Sequence, residues 1–203
     1  MIEYPHIEGP SKAPRKLCIA FDKLDGSNIR FFWNKKRGFH KAGTRRQMVS
    51  EQTPFWNQAV KLFYETLAEP LTAILERQLT NERVTIFCEW LGDQSFAGRH
   101  GENDYTMRLV PFDVHLMKKG FLSPREFIDL LLDKVEIPPI IYQGNLSDQF
   151  IQDVRKGVYG VNEGVVCKGQ IKPGKLWMTK IKTIAYQKKL KEHFQQDWQK
   201  YWE

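Results

Sequence analysis

Long apolar runs are missing from this chain of 203 residues. No stretch approaches the roughly 18 to 20 apolar residues that a membrane-spanning helix needs, so a helical membrane protein is excluded. The opening residues, MIEYPHIEGPSK, lack the basic-then-apolar pattern of a secretory signal. A soluble, cytoplasmic protein is therefore the expectation. Cysteine is scarce: Cys18, Cys88 and Cys167 lie far apart, each in an apolar, strand-like stretch (LCIAF, TIFCEW, VVCK). No paired ligand spacing exists among them, which argues against a zinc site. Buried free thiols in a reducing compartment are expected instead. Low-complexity linkers and internal repeats are absent too. With 41% hydrophobic and 27% charged residues, collagen-like and wholly disordered chains are ruled out. The length suffices for one large domain or two small ones with a real core.

Positive charge is in excess. Lysine and arginine outnumber the acids by 31 to 24, a formal net charge of +7. The basic residues gather at Lys12–Lys16, Lys35–Arg37, Lys41–Arg46 and Lys180–Lys191. Any one cluster reads as a solvated turn or helix face. Their sum favours a polyanionic partner.

Strand and helix patterns alternate along the chain. Residues 16–22 and 28–34 read as strands joined by a Gly-containing turn, with a third strand near 39–43. A helical stripe covers 54–67, Pro70 interrupts it, and a second helix runs to about Gln78. Residues 83–91 alternate like a strand, and the polar, Gly-rich 93–106 reads as a loop. Residues 107–116 form another strand, in which Pro111 implies an edge or a bulge. Ser123-Pro124-Arg125-Glu126 is a capping box opening a helix. A short strand at 139–143, a helix at 147–156 and strands at 163–169 and 175–182 follow. Residues 183–203 read as one helix, with Tyr186, Leu190, Phe194, Trp198 and Trp202 in an apolar stripe. That stripe either docks on the same domain or binds a protein partner. Mostly hairpin-like links imply an α+β fold with antiparallel sheets flanked by helices.

The sharpest short feature is Lys23-Leu24-Asp25-Gly26-Ser27-Asn28. A lysine ends a strand and a Gly turn follows at once, which lifts an amine to where a ligand can meet it. Asp-Gly is also an ordinary hairpin turn, so the hexamer alone is weak. Glu89 ends one apolar strand (CEWLG) and Glu163 opens another (EGVVCK). Lys180 and Lys182, in WMTKIKT, fall on one face of a strand. Two lysines on an apolar strand are costly to bury unless an anion meets them, and phosphate is the natural one.

The ordered set KLDGSN, TRR, CEWLG, LVPFDV, EGVVCK and WMTKIKT, from Lys23 to Lys182, resembles the covalent nucleotidyltransferase superfamily. That superfamily comprises ATP-dependent DNA ligases, RNA ligases and mRNA capping enzymes. The resemblance implies an adenylation (ATP-grasp-like) domain over residues 1–182. It implies ATP as AMP donor and Mg²⁺ or Mn²⁺ as metal. Lys23 resembles the nucleophile that attacks the α-phosphate and becomes lysyl-N-AMP. Arg45, with Arg46 the alternative, resembles the arginine at the nucleotide or the 5′-phosphate. Glu89 resembles the acid on the ribose hydroxyls and Phe112 the aromatic stacked on the purine. Glu163 resembles the acid that helps place the metal, and Lys180 and Lys182 the pair that neutralises phosphate. Gly26 and Asn28 belong to the nucleotide-binding turn, and Asp22 would help read the adenine amine. A free lysine, with pKa about 10.4, is protonated near neutrality. The neighbouring cations are expected to favour its neutral, nucleophilic form.

The residues after Lys182 are too few for an OB-fold domain, so the resemblance points to the RNA-ligase branch. Its partner would be RNA with 5′-phosphate and 3′-hydroxyl ends. Asp25 stands where ligases that seal nicked duplex RNA usually have His, whereas Asn28 fits that type. Nicked duplex and single-stranded RNA both stay open. A minimal DNA ligase or other lysine nucleotidyltransferase, such as a guanylyltransferase, and a non-catalytic nucleic-acid-binding relative are the alternatives.

Overall fold

The computed structural model describes residues 2–79, 83–92, 107–194 and 196. The loop expected at 93–106 and the end of the C-terminal helix, with Trp198 and Trp202, lie outside them. In chain order come a 3₁₀ turn Pro10–Lys12, β1 Leu17–Asp22, β2 Ser27–Asn34, β3 Gly38–Gly43 and β4 Met48–Val49. Then follow α1 Asn57–Thr66, α2 Ala68–Gln78, β5 Arg83–Leu91, β6 Arg108–Leu116, β7 Gly120–Phe121 and α3 Pro124–Leu131. The last are β8 Ile140–Asn145, α4 Asp148–Arg155, β9 Gly164–Lys172, β10 Lys175–Lys182 and α5 Ile184–Phe194. The chain divides into two compact units, Met1–Tyr4 with Asp25–Ile137, and Pro5–Leu24 with Pro138–Glu203.

The first unit is built on a six-stranded antiparallel sheet, β4-β3-β2-β5-β6-β7. Alternation along β2 and β5 sends Ile29, Phe31, Trp33, Val84, Ile86, Cys88 and Trp90 to one face, where all are buried. There Phe31 stacks on Phe63 of α1. Each such side chain contributes on the order of 1.5–3 kcal/mol by leaving water. The other face carries Asn28, Arg30, Thr85, Phe87 and Glu89. Pro111 produces a bulge rather than an edge. Phe87 pairs with Asp113 and Cys88 with Pro111, so Phe112 is the extra residue of β6. Ser123 and Glu126 form the expected capping box at α3.

The helix break falls at Leu67, three residues before Pro70. Pro70 can donate no N–H to the carbonyl four residues back, that of Thr66, and its ring crowds it. Thr66 is accordingly the last residue of α1. Pro70 itself sits in the first turn of α2, where its missing N–H costs nothing.

The second unit holds a four-stranded antiparallel sheet, β10-β9-β1-β8. One face packs on α4 through Cys18, Ala20, Val165, Cys167, Trp177 and Ile181 against Phe150, Ile151 and Val154. The opposite face carries Phe21, Val166, Lys168, Lys180 and Lys182. All three cysteines are buried and unbridged. The hairpin reading of β1 and β2 is corrected. β1 already has β8 and β9 on its two sides, and β2 has β3 and β5, so neither strand has an edge left for the other. The Lys23–Asn28 segment therefore carries the chain from one unit to the next. No helix among the described residues is long and apolar enough to cross a membrane.

Candidate active site

In the four-stranded unit, β1 ends at Asp22, and the Lys23 N–H donates to the Gly164 carbonyl at 3.0 Å. This ties the lysine to the start of β9, next to Glu163. The Lys23 Nζ lies 2.7 Å from Glu163 Oε2, and the Lys182 Nζ lies 3.5 Å from Oε1. Glu163 is 3% exposed. A carboxylate that deep needs cations, and two ammonium groups flank it. Lys180 lies one pleat before Lys182 on the same face of β10.

Backbone contacts hold this cluster. Gly164 has φ +150°, and a Cβ there would sit 1.9 Å from the Ile181 carbonyl oxygen. Only glycine lets β9 begin so close to the end of β10, and so Glu163 and Lys182 come together. Thr183 donates its N–H to the Glu163 carbonyl and its hydroxyl to the Asn162 carbonyl. The same hydroxyl accepts from the Tyr186 N–H at the start of α5. Tyr186 in turn places its ring 5.3 Å from the Lys182 Nζ.

Asp22 has its carboxyl pushed above the ordinary range, by burial first and then by the charge of Glu163. Two mutually repelling carboxylates are hard oxygen donors. They suit a divalent ion such as Mg²⁺ or Mn²⁺, which keeps waters and takes phosphate oxygens as further ligands. No cluster of three or more His, Cys, Asp or Glu occurs among the described residues.

In the six-stranded unit, the Gly26 N–H donates to Glu89 Oε1 at 3.2 Å. Asn28 is the cross-strand partner of Glu89, so the two share one face. The bulged Phe112 meets Tyr4 edge-to-face at 5.0 Å and lies tilted toward Phe87 at 6.3 Å. The Tyr4 hydroxyl donates to buried Asp113, and its own proton is held well above the usual range by burial and by Asp113. Arg45 and Arg46 are exposed on the turn Thr44–Gln47, closed by the Thr44 N–H donating to the Gln47 carbonyl.

The four-stranded unit thus joins Lys23, Glu163 and Lys182 by direct contact, with Asp22 and Lys180 beside them. The six-stranded unit joins Gly26, Asn28 and Glu89 and sets Phe112 on the same face. Sequence reasoning passed over Lys168 and Tyr4. Lys168 is 3% exposed, with its Nζ 5.1 Å from the Phe21 ring. The two-residue period from Gly164 through Val166 already put it on the face of Lys180 and Lys182. Tyr4 had no sequence signal, because its partners lie more than a hundred positions away.

Family comparison places the chain. The profile of the RNA ligase family matches residues 17–194. The chain belongs to the RNA ligase family. Solved structures of Naegleria gruberi RNA ligase share its fold. One with PPi has a TM-score of 0.71 at 19% identity, and the match covers 95% of this chain and 58% of that one. A variant with ATP and Mn gives 0.69 at 19% identity over 93% and 58%. A variant with AMP and Mn gives 0.67 at 18% identity over the same shares. The chain therefore spans 58% of the length of these relatives. A search of the curated proteins finds no match.

Proposed function

We propose that this chain is the adenylylating part of an ATP-dependent RNA ligase, with Lys23 as its nucleophile. The single observation that carries the reading is the Lys23–Glu163–Lys182 cluster. It is an amine at a strand end, held 2.7 Å from a buried carboxylate that a second lysine also contacts. Family membership and the ATP, AMP and Mn of the Naegleria structures support it.

In the resting chain the Lys23 ammonium is engaged with Glu163. Attack requires an unprotonated amine, so that pairing has to be given up and one proton lost. Glu163 Oε2 is the nearest acceptor. Lys182 and Lys180 then turn to the phosphate oxygens and stabilise the charge that builds there. The Lys23 Nζ forms a bond to the α-phosphorus, the bond to the β-phosphate oxygen breaks, and pyrophosphate leaves. Glu163 would hold a divalent ion, whose bound charge neutralises phosphate. Glu89 would accept hydrogen bonds from the ribose hydroxyls, Phe112 would stack on the purine and Asp22 would face the adenine amine. Gly26 and Asn28 would shape the turn around the nucleotide, and Arg45 would meet a phosphate. In the next step an RNA 5′-phosphate oxygen attacks the same phosphorus and the Lys23 amine departs. A 3′-hydroxyl then displaces AMP and joins the ends.

Nicked duplex RNA is the proposed substrate form on the strength of Asn28, with Asp25 marking the departure from that type. Three buried thiols and a need for ATP fit a cytoplasmic setting. Incubation with Mg²⁺ and α-labelled ATP, followed by a denaturing gel, tests the reading. A labelled band that disappears in Lys23→Ala is expected. The absence of label from the wild type, or its persistence in Lys23→Ala, would overturn it.

A further inference from the structure

The six-stranded unit buries an arginine that forms no ion pair among the described residues. Arg30, on β2, is 4% exposed, and its Nε is buried without a hydrogen-bond partner among the described residues. Other buried charges are matched. Asp113 accepts from Tyr4, and Glu163 and Lys182 pair. Beside the Arg30 guanidinium lies the Phe32 ring, at 5.7 Å. The exposed Glu3 acts on it electrostatically but forms no ion pair with it. Burial lowers the hold of Arg30 on its proton, the direction expected of a cation kept from water. A guanidinium offers five donors in a planar fork matched to oxyanions. Leaving it buried and unmatched is expensive unless a ligand completes it.

Its surroundings point to that ligand. Arg30 pairs across the sheet with Gly43. A Cβ built on Gly43 would lie 3.5 Å from the Arg30 Nε and 3.2 Å from the Gln47 carbonyl oxygen. The guanidinium therefore lies beside the turn Thr44–Gln47, which bears exposed Arg45 and Arg46. Arg30 also follows Asn28 by one pleat on the face that holds Glu89. Three arginines around one turn, one of them buried, suit a phosphate group.

We propose that Arg30 is a phosphate-binding residue, the buried anchor of an oxyanion site at the Thr44–Gln47 turn. The identity of the phosphate rests on the RNA ligase reading: it belongs either to the nucleotide or to the RNA 5′ end. The test uses Arg30→Met and Arg30→Lys in the full chain with three measurements. These are thermal melting, enzyme–AMP formation from labelled ATP, and binding of an RNA oligonucleotide with and without a 5′-phosphate. Arg30→Met should melt at or above the wild-type temperature, because an unmatched buried charge is replaced by an apolar chain of similar length. It should lose roughly 10- to 100-fold in one of the two functional arms, the scale of charged hydrogen bonds removed. Arg30→Lys should fall between, keeping the charge without the fork. Loss in AMP formation assigns the phosphate to the nucleotide. Loss of the preference for 5′-phosphorylated RNA assigns it to the RNA end. Unchanged behaviour in both arms overturns the proposal, as does melting that falls in step with function. A wild type that forms no enzyme–AMP sinks the ligase reading instead, and the RNA arm still reads Arg30.

Discussion

The two sheet faces handle charge in opposite ways. On the four-stranded sheet the charges answer one another: Glu163 lies between Lys23 and Lys182, and Asp22 stands near enough to feel it. On the six-stranded sheet the polar groups meet neutral donors and rings. Glu89 accepts a backbone N–H, Asp113 a phenol O–H, and Arg30 lies over the Phe32 ring. A self-paired cluster can exchange partners when an anion arrives, which is what nucleophile activation needs. A separated set can read shape and hydrogen bonds without reacting, which suits recognition. The comparison teaches that the chemistry and the reading of the ligand are expected from different sheets. Substitutions in the two should then fail in different ways.

The largest expected effect is in the charged cluster. Lys23→Ala should remove all enzyme–AMP label, because the proposed reaction bonds AMP to the Lys23 amine. It should also cost about 1–3 kcal/mol of stability, since Glu163 loses its nearer cation while staying buried. Urea unfolding checks the second part. A variant that is inactive yet fully as stable would show that Lys182 alone satisfies Glu163. Glu163→Gln comes next. It keeps the shape and removes the charge, so AMP formation should fall about 100-fold, the scale of a lost electrostatic stabiliser. More Mn²⁺ should be needed to reach half-maximal rate. An unchanged metal requirement would take Glu163 out of the metal's reach.

Gly164→Ala should act on stability more than on chemistry. A Cβ within 1.9 Å of the Ile181 carbonyl oxygen forces β9 away from β10, at a cost on the order of 1–3 kcal/mol. Denaturant midpoints measure it, and a neutral result would mean that the strands part without penalty. In the six-stranded unit, Phe112→Ala should raise the KM for ATP about tenfold and leave the maximal rate nearly intact, as the loss of a stacking surface does. A fall in rate at saturating ATP would blur the division between the two faces.

Most elements were legible because their signals were local. The capping box at Ser123–Glu126, the alternation of β5 and the bulge at Pro111 follow from neighbouring residues. The candidate lysines stood out because Lys180 and Lys182 share a strand, and Lys23 follows the end of one. Sheet membership was not legible. Asp25-Gly26 has the chemistry of a hairpin turn, and only β8 and β9, more than a hundred residues later, occupy the edges of β1. Arg30 was hidden for the same reason, since its burial depends on β3 and the turn after it. Tyr4 needed Asp113 to have a role at all.

The smallest effect expected is a pH dependence that belongs to the six-stranded unit alone. His115, half-buried on β6 with its ring 5.0 Å from Phe121, has its proton affinity lowered by burial. Its folded pKa lies below the unfolded value near 6.5, so the native state prefers the neutral ring. Its contribution to stability is then present above pH 6.5 and is lost as the pH falls through the depressed folded value. His115→Gln should flatten the melting temperature between pH 7 and pH 5 while leaving enzyme–AMP formation at pH 7.5 unchanged. A variant that keeps the wild-type slope would assign the acid sensitivity to groups other than His115.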